Sequence, residues 1–207
     1  MSRRGNISVE INSQKLSSPE RTYLLNVYEQ KGLNMFQNID YIAHRREKDG
    51  EVQSLVEHLN GVSEKTGKFA SKIGLKEQGE LIGLLHDIGK ASQEFEQYIK
   101  SAVGLINSDE DGYVDAAKLK GKVEHSTAGA QLIYKKLAPN GNEAIFVAQV
   151  LSLCIASHHS ELIDCISPEG IDTYSKRMGK REEKSHFDEV FGKLSNRGEE
   201  LIINRLQ

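Results

Sequence analysis

Apolar residues recur at helical spacing in three separate stretches of this chain, and that recurrence sets what it can fold into. Leu55, Val56, Leu59 and Val62 form one stripe, Leu81, Ile82, Leu84 and Leu85 a second, and Val147, Val150, Leu151, Cys154 and Ile155 a third. Positions i, i+3 and i+4 share one side of an α-helix, so each stripe predicts a helix with a core-facing side. Strand-like alternation is scarce outside Ile7–Ile11, and only three prolines interrupt 207 residues. With 38% apolar residues the chain can bury a true core. The expected fold class is all-α, a helical bundle.

Segment boundaries follow from turn and cap chemistry. Ser18-Pro19-Glu20 reads as a helix start, with serine as cap and proline at the first helical position, and Gly32 reads as its stop. Residues 1–37 are therefore expected to form an N-terminal extension with one helix, ahead of a domain spanning 38–207. Residues 107–122 are polar and glycine-containing and read as a surface loop, and Pro139-Asn140-Gly141 as a turn between helices. No stretch approaches the ~18 apolar residues of a membrane span. The opening residues lack the apolar core of a secretory signal. Cys154 and Cys165 both lie in apolar surroundings and read as buried thiols, not a disulfide, which points to the cytoplasm.

Five of the seven histidines share a pattern. His58 lies beside the first stripe. His86 and Asp87 close the second helix, His125 opens a helix through Ala130, and His158 and His159 end the third. Taken singly, each has an ordinary explanation: a hydrogen-bonded core histidine, a chance His-Asp pair, or a cation at a helix C-terminus. Together, on separate apolar helices, they can project imidazoles into one cavity, where helical bundles build metal sites. Neutral imidazole binds transition metals well, and a carboxylate can bridge two ions. No serine or cysteine has a persuasive triad context.

The run Leu85-His86-Asp87-Ile88-Gly89-Lys90 with Phe95, then His125-Ser126 with Gly129-Ala130, then Ser157-His158-His159, resembles the HD superfamily of metal-dependent phosphohydrolases. More narrowly it resembles the HD nuclease domain of the CRISPR-associated nuclease-helicase of type I systems. Tyr41-Ile42-Ala43-His44-Arg45 and His58-Leu59 are similar to that family's opening, and the likeness spans residues 38–165. The resemblance implies an HD-domain helical bundle with two divalent ions. His58, His86 and Asp87 would hold the first; Asp87, His125, His158 and His159 the second, with Asp87 bridging. Lys90 matches a family lysine near the ions and would stabilise phosphoryl charge, or else complement a helix end. His44 reads as structural or as lining a substrate channel, and His186, in a charged helix, as solvated. The family's last ligand aspartate has no counterpart: Asp164, Asp172 and Asp188 all lack its apolar helical context. The chain is therefore expected to be truncated ahead of that residue, and it carries no phosphate loop of a helicase.

The implied reaction is hydrolysis of phosphodiester bonds in single-stranded DNA, with Asp87 and Lys90 as catalytic residues, in CRISPR interference and antiviral defence. Five imidazoles and one carboxylate should favour Mn, Co, Ni, Fe or Zn over Mg, which prefers oxygen shells. The implied partners are a CRISPR surveillance complex and a helicase domain or subunit. A net charge of −3 excludes a protein that coats nucleic acid through bulk basicity. Arg45-Arg46, Lys118/Lys120/Lys122, Lys135-Lys136 and Lys176-Arg177/Lys180-Arg181 are local basic clusters that could follow phosphates. Two rival readings stand beside this one: a phosphohydrolase acting on nucleotides or other small phosphoesters, and a catalytically impaired docking module.

Overall fold

Two of the three apolar stripes become the core sides of helices in a computed structural model that describes residues 35–36, 41–46, 48–159, 162–204 and 206. The expected N-terminal helix and the Ile7–Ile11 alternation lie outside the described residues. The first stripe runs along α1 (Leu55–Ala70), with Leu55 and Leu59 fully buried. Ser54 caps α1 by accepting from the Glu57 amide at 3.1 Å, satisfying a donor that the first helical turn leaves unpaired. A single 3-10 turn (Ser71–Ile73) and left-handed Gly74 then return the chain into α2 (Lys76–Leu85), which packs against α1 and buries Leu81, Leu84 and Leu85.

After α2 the chain tightens into a second 3-10 turn (Ile88–Ala91), all of it buried, before α3 (Gln93–Ala102). The polar stretch 107–122 is largely irregular and exposed, as its composition predicts. It includes only the short α4 (Ala116–Leu119), capped by Asp115. Next come α5 (Thr127–Leu137), a 3-10 turn (Ala138–Asn140) at the predicted Pro139 reversal, and α6 (Asn142–Ala156), which packs on α5. Four short helices follow: α7 (Thr173–Met178), α8 (Glu182–Ser185), α9 (Phe187–Gly192) and α10 (Asn196–Ile203). Val190, Leu194 and Ile202 from this last part join the same core as Leu55 and Leu85. Met35 and Phe36, placed in the extension by a boundary at 38, are buried there too. The fold is all-α, with one antiparallel ribbon, β1 (Ile42–Arg45) and β2 (Val52–Ser54), that the sequence did not announce.

The third stripe divides: Leu151 and Ile155 face the core as expected, and the rest of it does not. On α6 the buried residues are Ala148, Leu151, Ser152, Ile155 and Ala156, while Val147, Val150 and Cys154 are exposed. Alanine and serine let α6 approach its neighbours closely, and a helix that is apolar on most sides gives periodicity no polar side from which to orient it. Cys154 and Cys165 are indeed free thiols, but both are exposed, not core. Among the described residues no helix is long and apolar enough to cross a membrane.

Candidate metal centre

Helix ends, not helix middles, bring most of the histidines together. His86 is the C-cap of α2, Asp87 begins the following 3-10 turn, His125 sits two residues ahead of α5, and His158 and His159 follow the last turn of α6. His58 is the exception, one turn inside α1. Two glycines make the approach possible. A Cβ on Gly129 would overlap the Leu85 carbonyl oxygen, and one on Gly89 would overlap that of His125. Any larger residue would therefore push α5 away from the His86-Asp87 corner.

Glu124 holds the entrance to α5. Its Oε1 accepts from the amides of His125 and Ser126 at 3.1 Å and of Thr127 at 3.2 Å, and Arg177 and Lys180 pair with the same carboxylate. These amides are the unpaired donors of a helix N-terminus, where negative charge is also favoured by the helix dipole. Burial alone would raise this carboxyl, but Lys180, Arg177 and Ser126 outweigh it and hold its pKa at about 2. Glu124 was missed from sequence; an acid just ahead of His-Ser-Thr at a helix start was the available signal.

Asp87 is the centre of the arrangement, 2% exposed, with its two oxygens facing different partners. Oδ2 lies 2.9 Å from His58 Nε2, 3.2 Å from His86 Nε2 and 2.8 Å from Lys90 Nζ. Oδ1 lies 2.9 Å from His158 Nε2 and 3.6 Å from the Nε2 atoms of both His125 and His159. Metal–nitrogen bonds of ~2.1 Å set at right angles place neighbouring donors ~3 Å apart. His58 Nε2, His86 Nε2 and Asp87 Oδ2 form such a triangle, the two imidazole nitrogens being 3.1 Å apart. Asp87, His125, His158 and His159 also form a group able to hold a metal ion.

The outer hydrogen bonds fit the same chemistry. Nδ1 of His86 lies 2.8 Å from Gly83 O, Nδ1 of His125 2.8 Å from Val123 O, and Nδ1 of His158 2.7 Å from Ile155 O. A carbonyl only accepts, so each Nδ1 carries the proton and, in the neutral ring, each Nε2 turns a lone pair inward. Nε2 of His125, so turned, meets Nε2 of His159 at 2.5 Å, a contact that needs a proton on His159 or a cation between the two. The residues present fit a transition-metal group.

Electrostatics agree. Burial alone would push the Asp87 carboxyl up, but the close imidazoles of His158, His58 and His86 and the charge of Lys90 hold it far below the carboxylate range. It is a fixed anion. Burial pulls the Lys90 ammonium down, opposed by Asp87. Burial also lowers His125 to about 4, so its ring is neutral near pH 7 and free to ligate. His44 is lowered to about 4, by burial and then by Lys90.

Other expectations fare differently. His186 is not solvated: its side chain is 15% exposed and bonds Glu94 at 2.8 Å, with Glu189 at 3.2 Å, and it belongs to neither metal-capable group. Asp164, Asp172 and Asp188 are exposed, and no carboxylate but Asp87 enters a metal-capable group among the described residues. Each basic cluster has members already engaged. Arg46 pairs with Asp49 and Glu51, Lys118 with Asp115, and Arg177 and Lys180 with Glu124, while Lys135 lies 3.5 Å over the Phe187 ring. A cleft of about 300 Å³ beside the cluster is lined by His44, Arg45, Arg46, Val52, Gln53 and Glu57, among others. The model of the family described as Cas3, HD domain, matches residues 52–201. No curated protein matches the chain.

Proposed function

This chain belongs to the Cas3 HD-domain family, a group of HD-type metal-dependent hydrolases of CRISPR systems, and we propose that it hydrolyses phosphodiester bonds of single-stranded DNA. The observation that carries the reading is the split carboxylate of Asp87, each oxygen facing its own set of imidazole nitrogens. In this assignment His58, His86 and Asp87 hold one divalent ion, and Asp87, His125, His158 and His159 a second. Two ions held there would supply Lewis-acid activation of water and neutralise charge on the departing oxygen. Nitrogen donors favour Mn, Co, Ni, Fe or Zn over Mg.

The chain's own groups do the positioning. Asp87 stays ionised and sets the spacing of the two donor sets, and Gly83, Val123 and Ile155 carbonyls keep three imidazoles turned inward. Lys90, 3% exposed and 2.8 Å from Asp87, sits at the cluster and would supply charge to phosphoryl oxygens. The cleft lined by His44 would receive the strand next to the scissile bond. In the whole system we place the domain beside a helicase that feeds it single strand, recruited by a surveillance complex.

The test is cleavage of single-stranded DNA by the purified chain across Mn, Co, Ni, Zn and Mg, beside Asp87→Ala and His86→Ala. Metal-dependent cleavage lost in both variants is expected. Cleavage unchanged in Asp87→Ala refutes the assignment, and turnover of mononucleotides in preference to polymer moves the substrate class to small phosphoesters.

A further inference from the structure

The two sides of Asp87 are unequally furnished. Oδ1 faces three imidazoles, whereas Oδ2 faces only His58 and His86, and among the described residues no second carboxylate joins them. Three protein donors fall short of the four of a closed tetrahedral shell or the six of an octahedral one. The β1–β2 ribbon brings a further imidazole to this side. Its pairing is irregular between Ile42 and His44, and the His44 ring stands edge-on to His58 with centroids 4.6 Å apart. His44, His58 and Asp87 each offer a donor atom, all within 4.8 Å of one another.

Lys90 shows which way His44 faces. Its Nζ sits 3.1 Å from His44 Nε2, 2.8 Å from Asp87 Oδ2 and 3.4 Å from the Ala43 carbonyl oxygen. An ammonium has donors only, so His44 Nε2 accepts, and its lone pair points at a buried cation shared with Asp87. A position already shaped around one cation, with an imidazole and a carboxylate oxygen aimed into it, is chemically suited to another.

Resting on the two-ion reading above, we propose that His44 is a metal ligand on the His58/His86 side, and that the Lys90 ammonium occupies its lone pair until the ion binds. His44 then exchanges Lys90 for the ion, and the ribbon becomes part of the metal site, not merely a wall of the cleft. If His44 served only to hold Lys90, its removal would leave ion affinity unaltered.

The experiment is titration of the metal-free full chain with Co²⁺, followed by calorimetry and visible absorption, for the wild type, His44→Ala and His44→Cys. Circular dichroism confirms that each variant is folded. We expect two ions in the wild type, and in His44→Ala one of the two bound about tenfold or more weakly with the other unmoved. His44→Cys should add a near-ultraviolet thiolate-to-cobalt band absent from the wild type, whose two cysteines are exposed and outside the cluster. Affinities indistinguishable from wild type in His44→Ala, or no new band in His44→Cys, overturn His44 as a ligand and leave the two-ion reading intact. A wild-type chain that takes up no ion overturns both.

Discussion

Replacing Glu124 with glutamine tests how His125 is held at the metal centre. The carboxylate sits at the N-terminus of α5, where it accepts from three consecutive amides and pairs with Arg177 and Lys180. Its side chain is 19% exposed, so solvent screens the interactions only in part. A carboxyl held at about 2 in the fold and titrating at 4.5 in the unfolded chain favours the fold by about 3 kcal/mol at neutral pH. The folded pKa is the lower one, so this stability is fully present above pH 4.5 and is lost as pH falls from there toward about 2. Glutamine keeps a neutral acceptor but cannot titrate. Urea unfolding of both proteins at neutral pH and at steps below pH 4.5 should show the wild type more stable by about 3 kcal/mol at first, with the gap narrowing on acidification. A neutral-pH gap below about 1 kcal/mol, or one that does not narrow, refutes the reasoning.

Further outcomes follow from the same geometry. Gly129→Ala places a methyl against the Leu85 carbonyl, a backbone atom that cannot swing aside, and should destabilise by about 1–3 kcal/mol; an unchanged melting curve would contradict the close approach. Adding Mn²⁺ at about a hundred times its dissociation constant should stabilise the chain by about 2.7 kcal/mol in urea unfolding, reversed by chelator. Asp87→Asn should absorb none of that gain, since both donor sets lose their shared anion; stabilisation equal to wild type would exclude Asp87 as the bridge. Cys154 and Cys165 should both react with a thiol reagent in the native state, Cys154 the more slowly because burial raises its thiol. Protection of both until unfolding would show that the exposed side of α6 is covered.

Much of this protein could be read along the chain, for a physical reason: helix periodicity, caps and turns are local. The stripes at Leu55–Val62 and Leu81–Leu85 set two helices and their buried sides, and the turn at Pro139 set a third boundary. The spacing of His58, His86-Asp87, His125 and His158-His159 marked the residues that the fold then gathers around one carboxylate. Other features depend on which surfaces meet. α6 is apolar on several sides, and only its packing on α5 decided that Ala148 and Ser152 face inward while Val147 and Val150 do not. His186 lies in a charged run, yet Glu94 approaches from 92 residues away and takes it out of water. Glu124 caps a helix through its local amides, but its pairing with Arg177 and Lys180, distant in sequence, is decided by the fold. The division of Asp87's oxygens between two donor sets, and the lone pair that His44 turns toward Lys90, are distances between chain segments 29 to 71 residues apart, and no local pattern encodes them.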